Sequence, residues 1–356
     1  MGRCRCGSGR APLFAEVDAV VRAALAQRYS AAVVRIEQGG RVRFERAYGR
    51  LGDDAAAGPV QVDTRFDLAS ITKVFVATVA LDAVARGTLA LDAPLLDLVP
   101  EWRANEHAPI VLRRLLAHDG GFRSGADWRT LLDRDVEAFA LTEPLAAPVG
   151  ERVIYSDLGF IALGVVLARA HATSLRTLVD ARLRAFGARS TAFTPAGRER
   201  ASIPATETDA WRGGVQGVVH DEKAYLLRGI AGHAGLFGDA CDAAALTEWY
   251  LGALHGRPTP LDRGLAREAV HQQAWDPVLR RGLGWALKTT GENSCGTRMS
   301  ADTFGHTGFT GTSVWADPQR DLSVVLLTNA VHYGRGDLRA VRAAVCDAAV
   351  AAVDAA

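Results

Sequence analysis

The sequence predicts an α+β fold, in which helices from both termini flank a sheet built from the two ends of the chain and a mostly helical region is inserted between. Three observations predict it. β-rich segments occur early, at Ala31–Glu37 and Val42–Tyr48, and return only late, between Gly282 and Thr328. From about Leu89 to Val278 helical patterns alternate with loops instead. No repeat of roughly 20–50 residues runs through the chain, which excludes a solenoid or propeller. Residues 13–66 and 281–356 are therefore expected to form one discontinuous α/β domain, residues 67–280 a mostly helical domain, and residues 1–12 a disordered tail.

The elements follow in order. Between Leu13 and Gln27, Phe14, Val17, Val21 and Leu25 recur at helical spacing. Ala31–Glu37 and Val42–Tyr48, separated by Gln38-Gly39-Gly40-Arg41, read as a β-hairpin. Asp53 to Pro59 is a polar loop. The run Val74 to Leu81 is apolar almost all round, so the helix entered near Ser70 should lie buried in the centre of the fold, with Gly87 ending it. Further helices are expected at Val111–Leu116, Leu158–His171, Leu175–Phe186 and Asp242–Leu254. The late strands are Gly282–Lys288, Asp302–His306, Thr312–Ala316 and Leu322–Thr328, and a final helix spans about Leu338 to Val353.

Composition bounds the function. A formal charge of +1 with no basic run longer than a pair, such as Arg280-Arg281, argues against a nucleic-acid binder. No apolar stretch of about 18 residues exists, so no membrane span is expected. The basic start, Met1 to Arg10, has no apolar segment behind it, so no secretory signal is read and the cytoplasm is the expected address. Five cysteines at irregular spacing are not a disulfide framework, and Cys4 and Cys6 lack two further ligands for a metal site.

Ser70-Ile71-Thr72-Lys73 is the most informative stretch. The chain has only three lysines, Lys73, Lys223 and Lys288, so a chance Ser-x-x-Lys match is expected roughly 0.1 times. Residues three apart share a helical face, which brings an ammonium to a hydroxyl that needs activation. The helix N-terminus adds free N–H groups suited to an anion. Tyr155-Ser156-Asp157 lies on a loop before a helix, and His306-Thr307-Gly308 ends a late strand. Lys288-Thr289-Thr290-Gly291 rivals the latter but has one residue too many before its glycine. The residue pattern alone leaves other readings open: Ser70 as a helix N-cap, Tyr155 as a core tyrosine, and Asp157 as the cap of the next helix. His118, His220 and His233 read as structural loop histidines, and Trp128, Trp249 and Trp285 as packing.

As a set, these motifs resemble the serine β-lactamase and penicillin-binding-protein superfamily, closest to its class C-like branch with the serine esterases. Phe66-Asp67-Leu68-Ala69, Leu115-Leu116-Ala117-His118, Val219-His220-Asp221 and Gly232-His233-Ala234-Gly235-Leu236-Phe237 belong to the same likeness. The resemblance implies a β-lactamase/transpeptidase-like antiparallel sheet and an acyl-enzyme on Ser70. It implies that Lys73 helps take the Ser70 proton and holds the local positive potential, and that Tyr155 is general base in acylation and acid toward the leaving group. The backbone N–H groups of Ser70 and Phe309 would form the oxyanion hole. Asp157, His306, Thr307 and Gly308 would shape substrate binding and the local field. No metal or organic cofactor is implied, and the partner is a small-molecule ester or amide.

Two departures bear on the substrate. Asp157 stands where many relatives carry Asn; facing Lys73, it should keep that lysine charged. His306 stands where Lys is common, and a histidine with an ordinary pKa of about 6.5 is mostly neutral above pH 7. Both changes are expected to weaken the positive field, which favours neutral acyl substrates, esters first. Acyl transfer through the same intermediate, β-lactam or D-amino-acid peptide hydrolysis, and a catalytically silent binding protein of the same fold are the alternatives.

Overall fold

The computed structural model describes residues 13–53, 57–276, 278, 280–291 and 293–356. The expected tail with Cys4 and Cys6, and the centre of the Asp53–Pro59 loop, lie outside the described residues.

Helix α1 (Ala15–Ala24) is followed by the expected hairpin, β1 (Ala31–Gln38) and β2 (Arg41–Gly49). Strand β3 (Phe66–Asp67) leads into helix α2 (Ile71–Ala85), and helices α3 (Leu112–Leu116), α4 (Val136–Thr142), α5 (Asp157–Ala170) and α6 (Leu175–Ala185) come next. Then come β4 (Ala192–Phe193), β5 (Glu207–Asp209), β6 (Gly213–Val215), α7 (Glu222–Leu226) and β7 (Leu236–Gly238). Helices α8 (Ala240–His255) and α9 (Arg263–Ala269) precede the late strands β8 (Ala286–Leu287), β9 (Phe304–Thr307), β10 (Ser313–Asp317) and β11 (Leu322–Thr328). Helix α10 (Arg339–Asp354) closes the chain.

The main sheet has the order β2-β1-β11-β10-β9-β8, with antiparallel neighbours throughout. The two ends of the chain meet at β1 and β11, in register from Ala32 opposite Thr328 to Gln38 opposite Leu322. Alternation along β1 assigns its faces. Ala32, Val34 and Ile36 pack with α1 and α10, while Ala31 and Val33 join the larger core with α2 and α8. Helix α2 is buried from Ile71 to Ala83, as its all-round apolar sequence requires. Each buried valine, leucine or phenylalanine contributes about 1.5–3 kcal/mol, so α2 is a firm mount for whatever its first turn carries.

Two expectations need correction. The stretch Gly282–Lys288 is not one strand; only Ala286–Leu287 pairs with β9, because the Gly282 amide donates back to the Trp285 carbonyl and folds the chain on itself. The middle of the chain also holds a three-stranded sheet, β3-β7-β4, and a β5-β6 hairpin. Strands of two or three residues are too short for alternation to show in sequence. Among the described residues no single helix is long and apolar enough to cross a membrane. The described cysteines, Cys241, Cys295 and Cys346, are free thiols.

Candidate active site

Ser70 occupies the N-cap position of α2, yet its hydroxyl makes no capping bond. Instead it accepts a 3.0 Å hydrogen bond from Lys73 Nζ, one turn further on. The approach to the serine is drawn tight by Asp67, whose carboxylate accepts from the Ala69 amide at 2.8 Å and the His220 amide at 2.7 Å. Burial pushes the Asp67 carboxyl up to about 6. Ala69 itself has φ +46°, a left-handed conformation that is strained for a residue with a Cβ.

Lys73 is fully buried and its three protons have three acceptors. These are Ser70 Oγ, the His233 carbonyl at 3.2 Å and Asp157 Oδ1 at 2.8 Å. Burial opposes its charge, but Asp157 and then Tyr155 outweigh burial, and the net shift of Lys73 is upward. Asp157 is free for this because Ser156, not Asp157, caps α5, through a 3.0 Å bond from the Gly159 amide to Ser156 Oγ. Its second oxygen pairs with Lys223 Nζ at 3.2 Å. Burial would raise the Asp157 carboxyl; Lys73, His233 and Lys223 together hold it below its ordinary range.

Lys223 continues to Asp221 Oδ2 at 3.1 Å, and His233 Nε2 donates to Asp221 Oδ1 at 2.7 Å. The His233 carbonyl then returns to Lys73, closing a ring of alternating charge. The ligand atoms of Asp157, Asp221 and His233 lie within 4.8 Å of one another, close enough for a metal. The donor set does not fit one, since two ammonium groups already occupy these carboxylates and would repel a dication.

Tyr155 faces this ring from the cleft. Lys73 Nζ is 4.9 Å from its ring centroid, and the His118 ring packs on it at 4.7 Å. His118 is not merely a loop histidine: its Nδ1 accepts the Ser156 amide at 3.1 Å and so orients the Tyr155-Ser156-Asp157 segment. His306 lies 5.9 Å from Tyr155 and pairs its Nδ1 with the Thr307 carbonyl at 2.9 Å. Burial, reinforced by Arg281 and Lys73, pushes His306 well below the ordinary histidine range, so it is neutral at pH 7.

The turn after His306 is brought against the serine by side-chain bonds. Thr310 Oγ1 donates to the Asp67 carbonyl at 2.8 Å and Thr312 Oγ1 to the Leu68 carbonyl at 3.2 Å. Only a glycine permits the approach: a Cβ on Gly308 would lie 2.1 Å from Thr312 Oγ1 and 2.7 Å from the Leu68 carbonyl oxygen. The buried Arg342 fixes the same turn by donating to the Gly308 carbonyl at 2.7 Å. Among the described residues neither the Ser70 nor the Phe309 amide donates to a protein acceptor. Gly308→Ala is accordingly expected to lower kcat/KM on an aryl ester at least ~10²-fold and to lower stability by about 1–3 kcal/mol. Steady-state kinetics and a thermal melt check both, and unchanged turnover would show the close approach to be dispensable.

Ser70, Tyr155, His306, Thr307, Gly308 and Phe309 all line one cleft of about 680 Å³. Lys73 and Asp157 stand behind it. The rival Lys288 instead donates to the Thr297 and Met299 carbonyls. The two loops around Trp128 and Trp211 are clipped together by ring stacking at 4.0 Å. Sequence reasoning gave no role to Lys223, whose rarity was a usable signal, or to Arg281, which it noted only as half of a basic pair. The structure adds that Lys223 pairs with Asp157 and also with Asp221, so the two carboxylates and two ammonium groups form one network.

The chain is similar to known proteins along nearly its whole length. The model of the family described as Beta-lactamase matches residues 17–347. Esterase EstB of Burkholderia gladioli is 32% identical, over 91% of this chain and 92% of that protein. The N-acetylmuramyl-L-alanine amidase of Bacillus subtilis (strain 168) is 29% identical over 89% of this chain and 81% of its own. Among solved structures, EstCE1, a hydrolase with promiscuous acyltransferase activity, superposes with a TM-score of 0.76 at 23% identity, covering 94% of this chain and 98% of that one. A class C beta lactamase from Rhodobacter sphaeroides gives 0.74 at 20% identity, over 92% and 97% of the two chains. At such identities these structures speak for the fold alone. With the family match running over nearly all of its length, the chain belongs to the beta-lactamase family.

Proposed function

We propose that the protein is a serine hydrolase working through an acyl-enzyme on Ser70, with esters as its first substrates. The observation that carries this reading is the Ser70–Lys73 contact, in which a buried ammonium with all three protons engaged donates to the serine hydroxyl. A lysine held in that state is a fixed cation, which leaves Tyr155 as the base. In acylation the Ser70 proton passes to the Tyr155 oxygen and Oγ bonds to the acyl carbon. Charge collects on the carbonyl oxygen, facing the Ser70 and Phe309 amides. Collapse breaks the bond to the leaving alkoxide, which takes the proton from Tyr155. Water repeats the sequence on the acyl-enzyme and releases the acid.

The esterase reading is supported by the neutral His306 on the substrate strand and by the 32% likeness to a named esterase. The test is mass spectrometry after exposure to a fluorophosphonate, paired with turnover of a chromogenic short-chain ester. An adduct on Ser70 that disappears in Ser70→Ala is expected. No adduct together with no turnover would favour the silent binding protein. Higher kcat/KM on a penicillin or a D-alanyl peptide than on aryl esters would replace the esterase reading with that of a β-lactamase or peptidase.

A further inference from the structure

Arg281 is a buried charge that the described residues leave without a counter-ion. It is 6% exposed, lines the cleft, and its Nε has no hydrogen-bond partner among the described residues. Its backbone is clamped on both sides, bridged to Ala274 and to Ala286, so the side chain is aimed by the sheet edge and not by a loop. No carboxylate among the described residues pairs with it. A buried guanidinium without an anion is expensive for folding, and burial does lower its hold on the proton. The fold therefore gives no reason for the charge.

The reason lies in what Arg281 faces. Its Cζ is 5.1 Å from the centroid of the Tyr155 ring, while Lys73 Nζ is 4.9 Å from the same centroid. Both fall within the range of a cation attracted to an aromatic face. The remaining titratable neighbours of Tyr155 are His118 and His306, whose buried rings are neutral and carry no charge to the site. The two cations differ in one respect. Lys73 already has Asp157 as counter-ion, whereas Tyr155 is the one acidic side chain among the described residues that acts on Arg281.

We propose that Arg281 is the second cation acting on Tyr155, favouring its proton-accepting role together with the Lys73–Asp157 pair. Arg281 is a positioning residue: it acts through Tyr155, not on the acyl group. The positive charge that His306 does not supply thus reaches the site from β8's flank and is engaged with the base. This inference rests on Tyr155 being the base.

The experiment compares Arg281→Met and Arg281→Lys with wild type on a neutral aryl ester and on an ester bearing a carboxylate. Arg281→Met is expected to lower kcat about 10–100-fold, with KM on the neutral ester within about threefold of wild type. The acid limb of its kcat/KM profile should move up by about one pH unit or more, because removing a nearby cation disfavours the anionic base. Arg281→Lys should recover most of both losses. In a Tyr155→Phe background the Arg281→Met change should have almost no further effect. The melting temperature of Arg281→Met should be no lower than that of wild type. An unmoved acid limb would overturn the proposal. So would a loss confined to KM of the carboxylate-bearing ester, which would make Arg281 a substrate anchor, or a lowered melting temperature with normal pH dependence. Fluorophosphonate labelling of wild-type Ser70 separates the two levels: labelling with unaltered Arg281→Met kinetics removes this role alone, and no labelling removes the acyl-enzyme reading with it.

Discussion

Lys73→Met is expected to lower kcat/KM on a short-chain aryl ester by about 10³–10⁴ while the protein still folds. Methionine fills the buried slot with a side chain of similar length, and Asp157 is not orphaned because Lys223 remains on its second oxygen. What disappears is the one cation among the described residues that touches Ser70 Oγ and also faces the Tyr155 ring. Both the nucleophile and its base lose the field that favours their charged states. Arginine is not expected to rescue, since a planar guanidinium cannot point three donors at Ser70, Asp157 and the His233 carbonyl from this position. Steady-state kinetics with a thermal melt decide the matter. A variant that kept a tenth of wild-type kcat/KM would deprive Lys73 of the role given to it.

The second large effect is on stability. Asp157→Ala is expected to destabilise the protein by about 3–5 kcal/mol at pH 7, because it leaves the fully buried Lys73 ammonium uncompensated. Asp157→Asn, which keeps an acceptor but not the charge, should lose less. The pH dependence follows from the directions of the shifts. Asp157 is held below its ordinary value, so its contribution is complete above about pH 4 and is lost as pH falls through the lower folded value. Lys73 is raised, so its contribution is complete below about pH 10 and is lost as pH rises through the higher folded value. The ring therefore stabilises across the whole neutral range. Urea melts at pH 7 and pH 3 should show wild type losing more stability on acidification than Asp157→Ala. Equal stability of the two proteins at pH 7 would show the ion pair to be energetically idle.

The local elements of this fold were legible because their cause is local. β-rich runs bounded by turn residues exposed β1, β2, β10 and β11, and an all-round apolar run exposed the buried α2. Where the cause was not local, the reading failed. Gly282–Lys288 has strand-like residues but folds back through a bond from Gly282 to Trp285, and the two-residue strands β3 and β4 exist only because β7 lies between them. The bland alternatives at the site were decided in the same way. Ser70 and Asp157 both sit where a cap is wanted, and spacing cannot say which acts as one. In three dimensions Ser156 caps α5, while the Ser70 hydroxyl and the Asp157 carboxylate both turn to Lys73.

The sequence by itself determined the fold class, the family and the pairing of Ser70 with Lys73. Each depends on periodicity or on residues one helical turn apart, distances that backbone geometry sets regardless of context. Tertiary structure alone decided the electrostatics of the site. It brought Lys223 onto Asp157, closed the ring through Asp221 and His233, and aimed Arg281 at Tyr155. Those contacts join segments far apart along the chain, so no local rule places them. Their strength also depends on burial, which exists only once the core has closed around them.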